Sequence, residues 1–256
     1  MTGAEVTSPA MHVVRVGAGP RILFVHGSAT DHTTWAIQLG SSLKERFELV
    51  APDRDFTRRT VEEHAADLVP LAGERALVVG SSFGAVIGLE LARSHPALVP
   101  GLVLVEPPMP PSDDPLHAGA QRAFYAEFER RVTAEGGPAA GEFFLRTVLG
   151  PEAYERIPKA FRERSRERWA EIRSDSEALV AYRPRYAALR TFEVPTVLAG
   201  GERSAPLFAP TLDALAAVLP HAERVTFPSA GHMLHAEVPR KFGELLIRFA
   251  AQVGIE

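Results

Sequence analysis

The 256-residue sequence contains no cysteine. Disulfides, thiolate zinc sites, iron–sulfur clusters and a cysteine nucleophile are therefore excluded together, and covalent catalysis would need another nucleophile. Long hydrophobic runs are also missing: no stretch approaches the roughly 20 apolar residues of a membrane-spanning helix. The opening MTGAEVTSPA has neither the basic nor the apolar part of a signal peptide, so the expected location is the cytoplasm, with no membrane partner. Nor is there an excess of basic charge. Lys plus Arg number 28 against 32 Asp plus Glu, for a net charge of −4, which speaks against nucleic acid as a partner. The content that remains, 46% hydrophobic and 23% charged, is that of one globular domain. Its charge is uneven, with ten basic and five acidic residues from Arg156 to Arg190, leaving −9 elsewhere.

Seven short, β-branched, apolar runs recur: HVVRV from His12, RILFVHG from Arg21, FELVAPDRD from Phe47, ALVVGSS from Ala76, GLVLVEPP from Gly101, PTVLAGG from Pro195 and ERVTFPSAGH from Glu223. Between them lie helical spacings such as Trp35, Leu39, Leu43 and Phe47, or Val61, Ala65 and Leu68, or Leu212, Leu215, Ala216 and Leu219. The alternation predicts an α/β fold, a mostly parallel central sheet with helices on both faces. One interval lacks strands. It begins with PPMPP at Pro107, runs to about Arg190, and is punctuated by Gly136, Gly137, Pro138, Pro151 and Pro158. We read residues 107–190 as a helical cap over the carboxyl edge of the sheet, where ligands bind in open α/β folds, and residues 1–106 with 191–256 as the core.

The chemistry-bearing signal is Gly80-Ser81-Ser82-Phe83-Gly84, a GxSxG pentapeptide set between the strand ALVV and a helix that meets no proline before Pro96. So tight a strand-to-helix turn strains the central serine, needs small residues at 80 and 84, and leaves the hydroxyl of Ser82 at the amino end of a helix, where negative charge is favoured. A serine nucleophile needs a base. Among nine histidines, His232 follows the last strand in PSAGH and precedes a terminal amphipathic helix, about Glu237 to Val253, with Pro239 in its first turn. Its loop reaches the same sheet edge as Ser82. His235, three residues on, is expected to be exposed or to cap a helix. No HExxH or comparable spacing exists among His26, His32, His232 and His235, so no metal and no cofactor are expected.

In this order of motifs, His26-Gly27 after a strand, the Ser82 elbow and Gly231-His232 before a final helix, the chain resembles the α/β-hydrolase superfamily over nearly its whole length. The resemblance implies a serine hydrolase with a cap inserted after the family's sixth strand. It also implies an oxyanion hole from the backbone N–H groups of Ser28 and Phe83, with His26 bracing its loop. It leaves the third triad member open. The usual aspartate, in a Gly-Glu-x-Asp context, is replaced in Gly201-Glu202-Arg203-Ser204. Glu106 is the first alternative: it ends a strand beside the nucleophile's, a charge placed after LVLV and before two prolines is costly unless paired, and some family members take their acid there. Glu202, or no carboxylate at all, remain the others.

Relatives of this fold that cleave haloalkanes or epoxides carry aspartate where Ser82 stands, so acyl chemistry is expected. The leading expectation is hydrolysis of a small-molecule ester or lactone through an acyl-enzyme. C–C hydrolysis, acyl transfer, a lyase or cyclase on the same triad, and a non-catalytic binding protein are the alternatives, and a homodimer is compatible with the sequence. Aromatics of the cap, including Phe124, Phe128, Phe144, Phe161, Trp169 and Tyr186, suffice either for a cap core or for an acyl pocket. Arg162, Arg164, Arg166 and Arg168 alternate with Glu163 and Glu167, a spacing that predicts a solvated, ion-paired helix face; attraction of anionic substrates is the sharper reading.

Overall fold

A computed structural model describes residues 11–109, 115–182 and 186–256, with side chains described except at 115–118, 186 and 187. The opening decapeptide and the Tyr186 side chain therefore lie outside the described residues. All seven apolar runs form strands: β1 (Val13–Val16), β2 (Arg21–Val25), β3 (Glu48–Pro52), β4 (Ala76–Ser81), β5 (Gly101–Val105), β6 (Thr196–Gly201) and β7 (Ala222–Phe227). They make one sheet in the order β1-β3-β2-β4-β5-β6-β7, antiparallel only between β1 and β3. The helices are α1 (Ala36–Gly40), α2 (Val61–Ala72), α3 (Phe83–Ser94), α4 (Pro115–Glu135), α5 (Gly137–Leu149), α6 (Pro151–Arg156), α7 (Lys159–Glu167), α8 (Trp169–Ala181), α9 (Phe208–Val218), α10 (Leu234–Glu237) and α11 (Pro239–Gln252).

The central strands β4 and β5 are buried along their whole length, which is why they read as continuous apolar runs. Alternate residues feed two cores. Val78, Leu102 and Leu104 pack with α2, α3 and α9, while Leu77, Val79, Val103 and Val105 pack with α1 and α11. Each such side chain contributes roughly 1.5–3 kcal/mol on burial. The spacing from Trp35 to Phe47 does not make one helix. Those residues share one core, but a 3-10 turn (His32–Trp35), α1 and a second 3-10 turn (Ser42–Glu45) carry them, with Ser41 breaking the run by accepting the Leu43 N–H. The last helix begins at Pro239 rather than Glu237, with the separate turn α10 before it.

From α4 to α8 the chain is helical between β5 and β6, and the predicted punctuation falls at its breaks: Gly136 (φ 93°) and Gly150 (φ 84°) precede α5 and α6, and Pro158 precedes α7. These helices have a core of their own, built on Phe128, Ala140, Leu145 and Ile172, into which Met233 packs from the loop after β7.

Candidate active site

The turn from β4 to α3 holds Ser82 at φ 54° and ψ −124°, a conformation that costs a non-glycine residue roughly 1–3 kcal/mol. The strain is held in place from two sides. The Ser82 N–H donates to the carbonyl of Val105 on β5 at 2.8 Å. A Cβ on Gly80 would strike the backbone of Gly84 and Ala85, and one on Gly84 the carbonyls of Val25 and His26, so glycine is required at both positions. The Ser82 hydroxyl makes no capping bond to α3 and opens on a pocket also lined by Gly27, Ser28 and His232.

His232 is 5% exposed, and its Nδ1 lies 2.6 Å from Oε2 of Glu106, itself 1% exposed. A carboxylate only accepts, so the bond places a proton on Nδ1, and in the neutral ring the lone pair is then on Nε2. The other Glu106 oxygen accepts the Gly201 N–H at 2.8 Å. Glu106 has φ 46°, so this side chain too is presented from a strained turn, just past the end of β5. Glu202 goes elsewhere: it is exposed and accepts the Ser229 N–H at 2.9 Å. The Ser204 hydroxyl, at the position of the family's usual acid, is buried without a hydrogen-bond partner among the described residues. Phe208, at the start of α9, stacks on His232 with ring centroids 4.3 Å apart and planes 9° from parallel. No sequence pattern separates this phenylalanine from an ordinary core residue.

The loop after β2 is braced by buried polar groups. His26 Nδ1 donates to the Gly27 carbonyl at 2.8 Å, and its Nε2 accepts the Arg54 N–H at 3.0 Å. Burial and the neighbouring Arg54 charge hold the His26 ring well below the usual histidine pKa. Arg54 reaches Asp175 of α8 through two bonds, 2.7 and 3.0 Å, with both side chains no more than 3% exposed, and also donates to the Gly27 carbonyl at 3.1 Å. The same Asp175 accepts the Ser28 hydroxyl at 2.7 Å. One buried carboxylate thus joins α8 to the segment from Gly27 to Thr30 that lines the pocket. Phe83, with its ring 5.0 Å from the Arg54 guanidinium, begins α3, where backbone N–H groups have no intrahelical acceptor.

Two expectations are corrected here. His235 is neither exposed nor a cap: it is fully buried, 4.6 Å from the Trp35 ring, with both ring nitrogens unpaired among the described residues. The arginines do not form a helix face paired with its own glutamates. Arg168 donates to Asp31 at 2.7 Å and to the Thr30 carbonyl at 3.1 Å, Arg164 to the Thr33 hydroxyl at 3.1 Å, Arg166 to Glu142 at 3.2 Å and Arg162 to Glu155 at 2.5 Å. Apart from Glu171, which accepts from Arg168 at 3.1 Å three residues on, their partners lie on other elements, which local spacing cannot reveal. Among the described residues, one group has metal-ligand chemistry, His12, His32 and Asp53, with donor atoms within 4.8 Å of one another. None of the three is among the residues lining the pocket, and His32 Nδ1 there already bonds Asp53 at 2.8 Å.

The first curated relatives, among them an uncharacterized protein of Mycobacterium tuberculosis, are 32% identical over 101 residues, and the match spans only 29% of their length and 35% of this chain. A pimeloyl-[acyl-carrier protein] methyl ester esterase of Xanthomonas campestris is 23% identical over 94% of this chain and 99% of its own. Among solved structures, an esterase from Thermogutta terrifontis superposes with a TM-score of 0.76 at 23% identity, covering 97% of this chain and 96% of its own. The enol-lactonase of Burkholderia xenovorans does so at 0.75 and 19%, covering 94% and 96%. The likeness to these structures is one of fold. A family model matches residues 22–245, nearly the whole sheet and everything around the pocket, and the chain belongs to the alpha/beta hydrolase family.

Proposed function

We propose that the protein is a cofactor-independent serine hydrolase that cleaves a small carboxylic ester or lactone through an acyl-enzyme. The observation that carries the reading is the buried bond of 2.6 Å between Glu106 and His232, the histidine that lines the same pocket as Ser82. Helices α4–α8 serve as the cap within the segment 107–190, and the Ser28 and Phe83 amides serve as the oxyanion hole.

His232 Nε2 takes the proton of the Ser82 hydroxyl as Oγ forms a bond to the substrate carbonyl carbon. The negative charge moves to the carbonyl oxygen and is met by the two N–H groups, one at the positive end of α3. Glu106 stabilises the imidazolium through Nδ1–H and prevents the wrong tautomer. The tetrahedral species collapses, the alkoxide leaves with the proton from Nε2, and Ser82 remains acylated. Water then repeats the sequence: His232 accepts its proton, the hydroxide oxygen bonds the acyl carbon, and Ser82 departs with the proton returned. A binding protein on this scaffold has no need to hold a carboxylate against the histidine in a strained turn, which favours the catalytic reading.

Glutamine substitutions test it. Glu106→Gln keeps the size of the side chain but lowers kcat on 4-nitrophenyl acetate by about 10⁴-fold, the loss seen when a triad histidine loses its carboxylate. Glu202→Gln leaves kcat within about threefold. Equal effects, or a larger loss in Glu202→Gln, would overturn the assignment.

A further inference from the structure

The hydrolase reading leaves open which acyl group the pocket takes, and the pocket's walls bear on it. Helices α5 to α7 and their junctions contribute Phe144, Leu145, Val148, Leu149, Ile157 and Phe161, all hydrocarbon, to the pocket wall. Among the described residues, one arginine, Arg162, is the charged side chain that lines it. That guanidinium is engaged: Nη1 is 2.5 Å from Glu155 Oε2, and its carbon stands 5.1 Å from the Tyr154 ring centroid. The other Glu155 oxygen accepts from Arg146 Nη2 at 2.6 Å, and Arg146 covers the same tyrosine ring at 4.3 Å. Arg146 in turn holds Glu142 at 2.8 Å. Glu155 thus bridges two arginines laid over Tyr154, a pocket residue whose importance had no signal in the sequence. Arg164 and Arg168, the other arginines that could draw an anion, do not line the pocket.

A carboxylate carried into such a wall gives up its hydration and finds its one candidate counter-ion among the described residues already bound to Glu155 and laid on the Tyr154 ring. An added methylene gains apolar burial, about fourfold in kcat/KM. We propose, resting on the hydrolase reading, that the site selects uncharged, apolar acyl groups, medium-length alkyl or aryl, and that the Arg146–Glu155–Arg162 bridge denies a carboxylate-ended acyl chain its counter-ion. Glu155 is then a specificity-determining residue acting through Arg162, with no contact to the reacting atoms.

The test compares 4-nitrophenyl acetate, butyrate and hexanoate with the 4-nitrophenyl monoester of adipic acid, which has the hexanoate chain length and a terminal carboxylate. The expected kcat/KM rises about fourfold per methylene along the neutral series, and the adipate ester falls at least about 100-fold below hexanoate, the scale of an unpaired polar group in a binding site. Glu155→Gln, checked for an unchanged melting temperature, raises the adipate-to-hexanoate ratio at least about tenfold by freeing Arg162. Adding Arg162→Gln to that variant removes the gain. An adipate ester turned over within about threefold of hexanoate by the wild type, or a ratio unmoved in Glu155→Gln, overturns the proposal. Fluorophosphonate labelling of Ser82, run in parallel, separates the two claims: labelling with a flat series defeats the specificity alone, and absent labelling defeats the hydrolase reading. In the latter case thermal-shift binding of hexanamide against adipic acid monoamide to Ser82→Ala still decides the pocket's preference, with hexanamide expected to bind at least tenfold tighter and equal binding overturning it.

Discussion

Acid should unfold this chain steeply, and His235 allows the effect to be measured one proton at a time. Its ring is fully buried, packed against Trp35 and without a hydrogen-bond partner among the described residues. Burial, reinforced by the positive charge available to His232, lowers its pKa to about 3. Burial and the Arg54 charge likewise lower His64 to about 4, and His26 lies well below its ordinary value. In the unfolded chain each would take its proton near pH 6.5. Above that pH both states are neutral and nothing is lost. As pH falls toward the folded values the unfolded state binds protons that the folded state cannot, so stability declines by about 1.4 kcal/mol per pH unit for each group, or about 4 kcal/mol per unit for the three together. For His235 alone the loss between pH 7 and pH 5 is about 2 kcal/mol, out of a total stability of roughly 5–15 kcal/mol. Replacing it with leucine, similar in volume and unable to titrate, removes one proton from the linkage. Urea unfolding at the two pH values should show the wild type losing about 2 kcal/mol more than His235→Leu, a midpoint difference near 1 M at an m value of about 2–3 kcal/mol/M. Identical losses in the two proteins would refute the reasoning, because every other titrating group is common to both.

The buried pair beneath the oxyanion loop gives a second expectation. Asp175→Asn leaves Arg54 charged and unpaired, and should cost roughly 3–5 kcal/mol in chemical denaturation, whereas Ser28→Ala, which removes one hydroxyl donor, should cost only about 1 kcal/mol. Phe208→Leu removes the ring stacked on His232 while keeping the site filled; kcat should fall by about tenfold, for about 1.4 kcal/mol of lost orientation, with KM little changed.

Much of the fold was legible because its strands are buried on both faces: GLVLV and ALVV can hardly be anything but central strands, and glycine and proline mark each break between the helices around α5, α6 and α7. Glu106 stood out for a related reason, a charge directly after an apolar run, and its bond to His232 supplies the compensation that such a position demands. What could not be read depends on contacts between distant segments. Arg54 and Asp175 are 121 residues apart, and nothing around either marks it as half of a buried ion pair. The cap arginines misled because alternating charges on one helix imply local partners, and only the Arg168–Glu171 pair is of that kind, while Asp31, Glu142 and Glu155 come from elsewhere. His235 misled because nearness to His232 in sequence says nothing about which side of the loop faces Trp35.

The central claim is that Ser82 is a nucleophile activated by His232. It is tested most directly by incubating the protein with a fluorophosphonate and locating the adduct by peptide mass spectrometry. A single adduct on the peptide carrying Ser82, absent in Ser82→Ala and strongly slowed in His232→Ala, is the predicted result. Labelling that persists in Ser82→Ala, or an unlabelled wild-type protein, would contradict it.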